Sequence, residues 1–457
     1  MRRAFLITAE TGLLLSTGLA AAWLRLGEGT AWELAERQGW LKLLMVTLVI
    51  QLAFYLFDLY DLPATRSYRR VVKNLIKSLL AATVLLSIFF YALPSFQLGR
   101  GVFLVELGLA FAIIALWRLL VAWTTGHSRI GVRERVLILG SDSQAIEIAR
   151  ATLERRNAGF HIVGFVDNRP DLVGKSLINP KVIGVTSDIA ELVDEYDVDR
   201  IVVAVKDRRG KLPTEELLNL TLSGRVAVED CASYYERLTG KIATEMLRPS
   251  WLIFSRGNRF SDLARHVRRV LNAGLAVVGF VLSLPVMLMV AIAVKLDSRG
   301  PVFYTQERMG KNGRIFKIIK FRSMRVDAEE SSGPVWAGED DPRATRVGRI
   351  IRKLRLDELP QFINVLRGDM NFVGPRPERP VFVEQLSEVI PYYSQRHLVK
   401  PGLTGWAQIK YPYGSSVEDT IEKLMYDLYY IKNQSLLLDA MIVFETIKTV
   451  LFGRGGR

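Results

Sequence analysis

Residues 353–378 read Lys353-Leu354-Arg355-Leu356-Asp357-Glu358-Leu359-Pro360-Gln361-Phe362-Ile363-Asn364-Val365-Leu366-Arg367-Gly368-Asp369-Met370-Asn371-Phe372-Val373-Gly374-Pro375-Arg376-Pro377-Glu378. The pattern predicts a helix with Asp357 as N-cap, Pro360 in its first turn and Gly368 as its stop. Successive helical residues point about 100° apart, so Asp357 and Glu358 need separate partners. Two readings stand on this stretch alone. Asp357 caps a helix and Glu358 meets its dipole, or one carboxylate attacks or holds a metal while the other orients it.

Working outward, Gly374–Glu378 presents Arg376 between two prolines that fix the backbone. An arginine held this way suits a phosphate, which it grips with two N–H groups. A second Pro/Gly loop, Lys400-Pro401-Gly402-Leu403-Thr404-Gly405-Trp406-Ala407-Gln408, adds a cation and a tryptophan. Upstream, Lys317, Lys320, Arg322 and Arg325 form a basic cluster with Phe321 and Met324 interleaved. It reads either as a solvated face beside anionic lipid or as a grip on substrate phosphates, chiefly through Lys320 and Arg322. Carboxylates for a divalent metal beside cations for phosphates point to phosphoryl transfer.

These motifs carry a resemblance. Gly300-Pro301-Val302-Phe303, Gln306-Glu307-Arg308, Phe316-Lys317 through Lys320-Phe321-Arg322-Ser323-Met324, Asp357-Glu358-Leu359-Pro360-Gln361, Gly374–Glu378 and Lys400–Trp406 occur in the order of the bacterial sugar transferases. That family comprises polyprenyl-phosphate sugar-1-phosphate transferases that prime cell-surface polysaccharides. The tail, Tyr411-Pro412-Tyr413-Gly414 and Asp427–Asn433, is similar to the subgroup associated with exopolysaccharide and exosortase clusters. The resemblance implies a UDP-sugar donor, an undecaprenyl phosphate acceptor and UMP as the released nucleotide. It makes Asp357 the nucleophile through a covalent phosphosugar intermediate. Asp357 and Glu358 would hold Mg²⁺, and Arg376, Lys320, Arg322 and Lys400 would contact phosphate. Specificity for the sugar is expected after Trp406.

Composition agrees with that class. The 457 residues carry a net charge of +14, which suits polyanionic partners. Long apolar runs argue against nucleic acid and for membrane lipids. A single cysteine, Cys231, excludes an intrachain disulfide and a cysteine zinc site. His127, His161, His266 and His397 are too scattered for a metal signature.

Three regions are expected: a four-span transmembrane bundle at 1–125, a Rossmann-like parallel α/β domain at 130–245, and an α/β catalytic domain at 246–457. The bundle rests on apolar segments at 4–24, 40–57, 78–93 and 102–123. Basic loops with Arg66, Arg69, Arg70, Lys73 and Lys77, and Arg129, Arg133 and Arg135, alternate for an N-inside, C-inside orientation. Glu10 and Glu106 fall inside spans and face either the bundle or a function.

In the middle region, strands at 136–139, 162–167, 200–205 and 226–228 alternate with helices at 143–156, 189–195 and 213–222. Gly140-Ser141-Asp142-Ser143-Gln144-Ala145 keeps only the first glycine of a dinucleotide fingerprint, and Asp142 would repel a pyrophosphate. The expectation is a degenerate nucleotide fold, and relatives of this architecture are similar to a CoA-binding type.

The apolar run Val270–Val294 has basic flanks, Arg256, Arg259, Arg265, Arg268 and Arg269 on one side and Lys295, Arg299 and Arg308 on the other. Pro285 sits within it. A re-entrant helix–break–helix over 266–295 is expected, which leaves the catalytic part cytoplasmic. The family hairpin has serine just before the proline, whereas here Leu284 precedes Pro285 and Ser283 stands one position earlier. The end of the chain, Ser435–Phe452, reads as an amphipathic helix.

The expectation is therefore a multi-pass enzyme of the bacterial inner membrane, with homo-oligomers allowed. An NAD-dependent dehydratase is disfavoured, because no tyrosine has a lysine four residues on. A glycosyltransferase releasing UDP and a non-catalytic scaffold for polysaccharide assembly remain as rivals.

Overall fold

The computed structural model describes residues 2–36, 38–60, 68–96, 99–127, 134–155, 159–205, 212–247, 262–328, 333, 341–411, 414 and 416–451. Arg66, Arg129, Arg133, Arg256, Arg259, Pro412 and Tyr413 lie outside them. The chain divides into two compact units, residues 1–133 and 134–457.

In the first unit, helices α1 (Arg2–Leu26), α2 (Gly29–Glu36), α3 (Gly39–Leu56), α4 (Tyr68–Ala92) and α5 (Arg100–His127) follow the apolar runs. Four of them are long and apolar enough to cross a membrane. Leu14, Val46, Ile50, Phe54, Leu75, Leu86 and Ile114 are buried between them, while Leu48, Leu80, Ile88, Leu104 and Leu116 face outward. Helix α4 starts ten residues before the expected apolar segment, because Val71 and Leu75 extend its buried stripe through a basic stretch. Glu10 is fully buried and pairs with Arg118, Nε to Oε1 at 2.5 Å. Arg118 also donates to the Leu59 carbonyl at 2.6 Å. A charge in an apolar span needs such a partner. Arg118 itself was missed in the sequence, because its span stays apolar on average around it. Glu106 is fully buried against Gly18.

The second unit begins with a five-stranded all-parallel sheet: β1 (Glu134–Leu139), β2 (Phe160–Asp167), β3 (Val182–Val185), β4 (Arg200–Val203) and β5 (Ala227–Asp230). Its order is β3-β2-β1-β4-β5. Helices α6 (Ser143–Glu154), α7 (Ile189–Glu195), α8 (Thr214–Leu222) and α9 (Cys231–Thr239) accompany it. Strand β3 was not expected from the sequence. It has four residues with Gly184 among them, too short for an alternating signal. At the degenerate fingerprint, Ser141 donates to Asp167, and Arg169 Nη2 donates to Ser141 at 2.6 Å.

Helix α10 (Asp262–Asp297) runs through Pro285 without a break, so the expected interruption is absent. Proline removes one helical hydrogen bond, but neighbours on both sides of it are held. Ser283 Oγ donates to the Phe280 carbonyl at 3.0 Å, and Met287, Val290 and Val294 pack with Phe321 and Ile351. The covered positions 268, 272, 276, 280, 283, 287, 290 and 294 form one stripe along the helix. Its other face exposes Leu271, Leu275, Val278, Leu282, Leu288 and Ile292.

Strands β6 (Phe303–Met309) and β7 (Ile315–Phe321) form an antiparallel pair. Helices α11 (Arg346–Lys353), α12 (Phe362–Arg367) and α13 (Pro380–Val389) follow, with β8 (Asn371–Val373) between α12 and α13. Strand β9 (Gly402–Thr404) pairs parallel with β8. The chain closes with α14 (Trp406–Lys410), α15 (Val417–Lys432) and α16 (Leu436–Leu451). Helix α15 is locked onto the parallel-sheet layer: Met425 enters that layer's core, and Lys432 Nζ meets Glu236 Oε2 at 2.6 Å.

Candidate active site

The dyad lies in a single 3₁₀ stretch, Leu356–Gln361, between α11 and α12. Asp357 is therefore not an N-cap. Arg355, at φ 54°, turns the chain, and Asp357 follows inside the first turn. Helix α12 does end at Gly368, at φ 82°, as the pattern predicts. Asn364, fully buried, fixes this segment to β7. Its Nδ2 donates to the Lys317 carbonyl at 2.8 Å, and its Oδ1 accepts from Ile319 N at 3.0 Å. The side chain thus acts as one more rung beside the strand, and Lys320 follows next along it.

The two carboxylates do have separate surroundings. Glu358 Oε1 is 2.5 Å from Arg376 Nη2 and 3.7 Å from Lys320 Nζ. Asp357 has no hydrogen bond or ion pair within 4 Å among the described residues, although it is only 8% exposed. Burial and the neighbouring Glu358 charge push the Asp357 carboxyl up to about 6. Burial alone would also raise Glu358, but Arg376 and Lys320 overcome it and hold that carboxyl well below the usual range. Burial depresses the Lys320 ammonium, and Glu358 opposes the shift. One carboxylate is a fixed anion between two cations; its neighbour is open and basic enough to attack or to take a metal.

Both face a cavity of about 740 Å³, whose wall includes Tyr304, Arg308, Lys320, Arg352, Arg355, Arg376, Arg379, Gln408, Tyr411 and Lys423. The sequence reading reached Lys320 and Arg376. Arg308 was visible only as part of a motif, Arg352 and Arg355 only as part of a basic run, and Arg379 and Lys423 carried no signal in the sequence.

Two expected phosphate contacts are engaged elsewhere. Arg322 borders the cavity, but its guanidinium donates to the Arg299 and Ser298 carbonyls at 2.8 and 2.7 Å and to Ser298 Oγ. It closes the turn that leaves α10, and it also reaches the Val294 carbonyl in the last turn of that helix at 3.5 Å. Lys400 lies outside the cavity wall, and its ammonium donates to the Gly368 carbonyl at 2.5 Å, closing α12. Trp406 is buried against Tyr429, and its Nε1 donates to the Gly240 carbonyl at 2.8 Å. The glycines of the two loop motifs explain one another. A Cβ on Gly374 would lie 2.5 Å from the Lys400 carbonyl oxygen, and one on Gly402 would lie 2.0 Å from Gly374 N. The β8–β9 pairing brings the loops together only because neither has a side chain there.

The donor set fits magnesium in one respect. Asp357 offers a hard oxygen ligand with no competing partner among the described residues, and Mg²⁺ uses one or two carboxylates while waters and substrate phosphates complete its octahedron. Glu358, next to it, has its oxygens turned to Arg376 and Lys320. Among the described residues no cluster of three or more His, Cys, Asp or Glu forms a self-sufficient metal cage.

Residues 263–453 match the bacterial sugar transferase family, and residues 55–211 match a CoA-binding domain family. The chain is 42% identical over 272 residues to a UDP-N-acetylgalactosamine-undecaprenyl-phosphate N-acetylgalactosaminephosphotransferase of Aeromonas hydrophila, covering 58% of this chain and 63% of that protein. It is 33% identical over 333 residues to an undecaprenyl-phosphate glucose phosphotransferase of Komagataeibacter xylinus, covering 70% and 59%. It is 30% identical over 379 residues to a UDP-galactose-lipid carrier transferase of Erwinia amylovora, covering 79% and 77%. The matched regions thus span about 60% of the first two relatives.

Proposed function

The chain belongs to the bacterial sugar transferase family, and from that premise we propose that it transfers a sugar-1-phosphate from a UDP-sugar to undecaprenyl phosphate. UMP would be released, and the reaction would prime exopolysaccharide synthesis. The observation that carries this reading is the open Asp357 carboxylate beside a Glu358 neutralised by Arg376, in a cavity walled by cations. An Asp357 oxygen attacks the β-phosphorus of the donor. The bond from that phosphorus to the bridging oxygen breaks, and UMP leaves with the electron pair. A lipid phosphate oxygen then attacks the same phosphorus, and the bond to Asp357 breaks, restoring the carboxylate. Neither displacement requires a proton transfer. Arg376 and Lys320, which border the cavity, would face the phosphates, while Glu358 holds both cations in place. A magnesium ion bound at Asp357, with Glu358 adjacent, would neutralise the diphosphate and the departing phosphate.

Helix α10 suits a lipid acceptor. Its covered stripe rests on the catalytic body along both halves, while its opposite face is apolar and exposed. A helix backed by one body along its length cannot cross the bilayer without drawing that body into hydrocarbon. In this reading it lies in the cytoplasmic leaflet of the inner membrane, with Arg265 and Lys295 both at the headgroups. Periplasmic labelling of cysteines placed near Arg322 would refute that disposition.

The relatives' names carry N-acetylgalactosamine, glucose and galactose, so the sugar is left open. The test is the nucleotide product. Membranes with the protein, UDP-sugar labelled in the nucleotide, undecaprenyl phosphate and Mg²⁺ are expected to release UMP, and Asp357→Ala to abolish the release. UDP as product would replace this reading by glycosyl transfer, and no product with any common donor would favour a scaffold.

A further inference from the structure

Two buried charged residues in the cavity wall have no part in the chemistry above. Arg396, in the 3₁₀ stretch Tyr393–Leu398, is 8% exposed, and Asp427, on α15, is 2% exposed. Arg396 Nη1 donates to Tyr393 Oη at 2.7 Å, while Nη2 donates to Asp427 Oδ2 at 2.9 Å and to the Arg376 carbonyl at 3.0 Å. A buried ion pair is a poor device for stability alone, because desolvation offsets most of its attraction. What this one does is hold the backbone of the residue whose side chain clamps Glu358.

The rest of that loop is pinned in the same way. The Val373 carbonyl accepts from Tyr430 Oη at 3.1 Å, and the Pro375 carbonyl accepts from Gly402 N at 2.9 Å. The Pro377 carbonyl accepts from Arg308 at 3.2 Å, and the Glu378 carbonyl accepts from Met309 N at 2.8 Å. At Arg376 the anchor is the Arg396 guanidinium, and its ion-pair partner Asp427 sits on α15, the helix locked to the parallel-sheet layer. Asp357 is the neighbour of Glu358 and has no hydrogen-bond or ion-pair partner among the described residues, so a slack Arg376 has a second carboxylate beside the first. If it paired there, it would block the open carboxylate.

We propose that Arg396, held by Asp427, is a positioning residue that keeps Arg376 on Glu358 and off Asp357. The idea rests on the reading of Asp357 as the reacting group. Arg396→Lys, which keeps the charge but cannot reach both oxygens, and Asp427→Asn are expected to lower kcat about 10- to 100-fold. KM for the donor should stay within about twofold. The decisive readout is the cycle with Arg376→Ala: in that background neither substitution should lower kcat further. An equal loss in both backgrounds, together with a lowered melting temperature, would mean a merely structural pair and overturn the proposal. The two failures are told apart: UDP as product refutes the function and with it the role of Asp357, whereas UMP as product with an equal loss in both backgrounds refutes the positioning alone. Should no donor turn over, a crystal structure of Arg396→Lys decides: Arg376 displaced from Glu358 towards Asp357 supports positioning, and an unchanged Arg376–Glu358 pair refutes it.

Discussion

Removing the charge of Glu358 should move the pH limb of the reaction downward. The Asp357 carboxyl sits at about 6 because burial and the adjacent Glu358 anion both oppose its ionisation. Two carboxylates ~5–7 Å apart repel by about 2–3 kcal/mol at an effective dielectric of about 20. One unit of pKa is about 1.4 kcal/mol, so Glu358→Gln should lower the Asp357 value by about one to two units. The released Arg376 acts in the same direction if it turns to Asp357. The sign is fixed by chemistry: a nucleophilic carboxylate must be ionised, so the rate is full above the limb and falls tenfold per pH unit below it. The assay is the burst of UMP without lipid phosphate, at sub-saturating magnesium, between pH 4.5 and 8. Leaving out the acceptor removes its own ionisation from the profile. Wild type should fall away below pH about 6, and Glu358→Gln below about 4–5 with a smaller burst rate. Lys320→Met should shift the limb upward, since Lys320 favours the Asp357 anion. A wild-type burst that is flat from pH 5 to 7, or a Glu358→Gln limb that stays put or rises, would refute the electrostatic account.

Asn364→Ala would leave Ile319 N–H and the Lys317 carbonyl without their partner; unfolding in denaturant should show a loss of about 2–4 kcal/mol. Lys400→Met should lower stability by about 0.5–1.5 kcal/mol through the lost helix cap, with the donor KM unchanged, whereas a phosphate contact would raise KM. In the bundle, Glu10→Ala should cost about 3–5 kcal/mol by leaving Arg118 buried and unpaired. Glu10→Ala combined with Arg118→Met should recover much of that loss in thermal unfolding.

The dyad, the Arg376 loop and the glycine loop were legible because each is a run of adjacent residues whose types are chemically constrained. Which cations are spent on backbone carbonyls was not. Lys320 and Arg322 are two apart, which on a strand predicts the same face. Strand β7 ends at Phe321, however, and Arg322 reaches back to the end of α10. Lys400 has the same charge and the same loop company as Arg376, but the carbonyl of Gly368, the residue that ends α12, takes its ammonium. The proline within α10 signalled a break, and the packing on either side of it kept one helix.

The sequence alone determined the apolar helices, the alternation that makes a parallel sheet and the family motifs, because each depends on neighbouring residues or a fixed period. Only the tertiary structure decided that Glu358 is neutralised while Asp357 is open, that Arg322 and Lys400 are spent on backbone carbonyls, and that Arg396 holds the Arg376 loop. Those outcomes depend on contacts between residues 18 to 32 positions apart. There, charges and unpaired carbonyls compete for the same few partners, and the competition is resolved by distance and burial, which no local pattern carries.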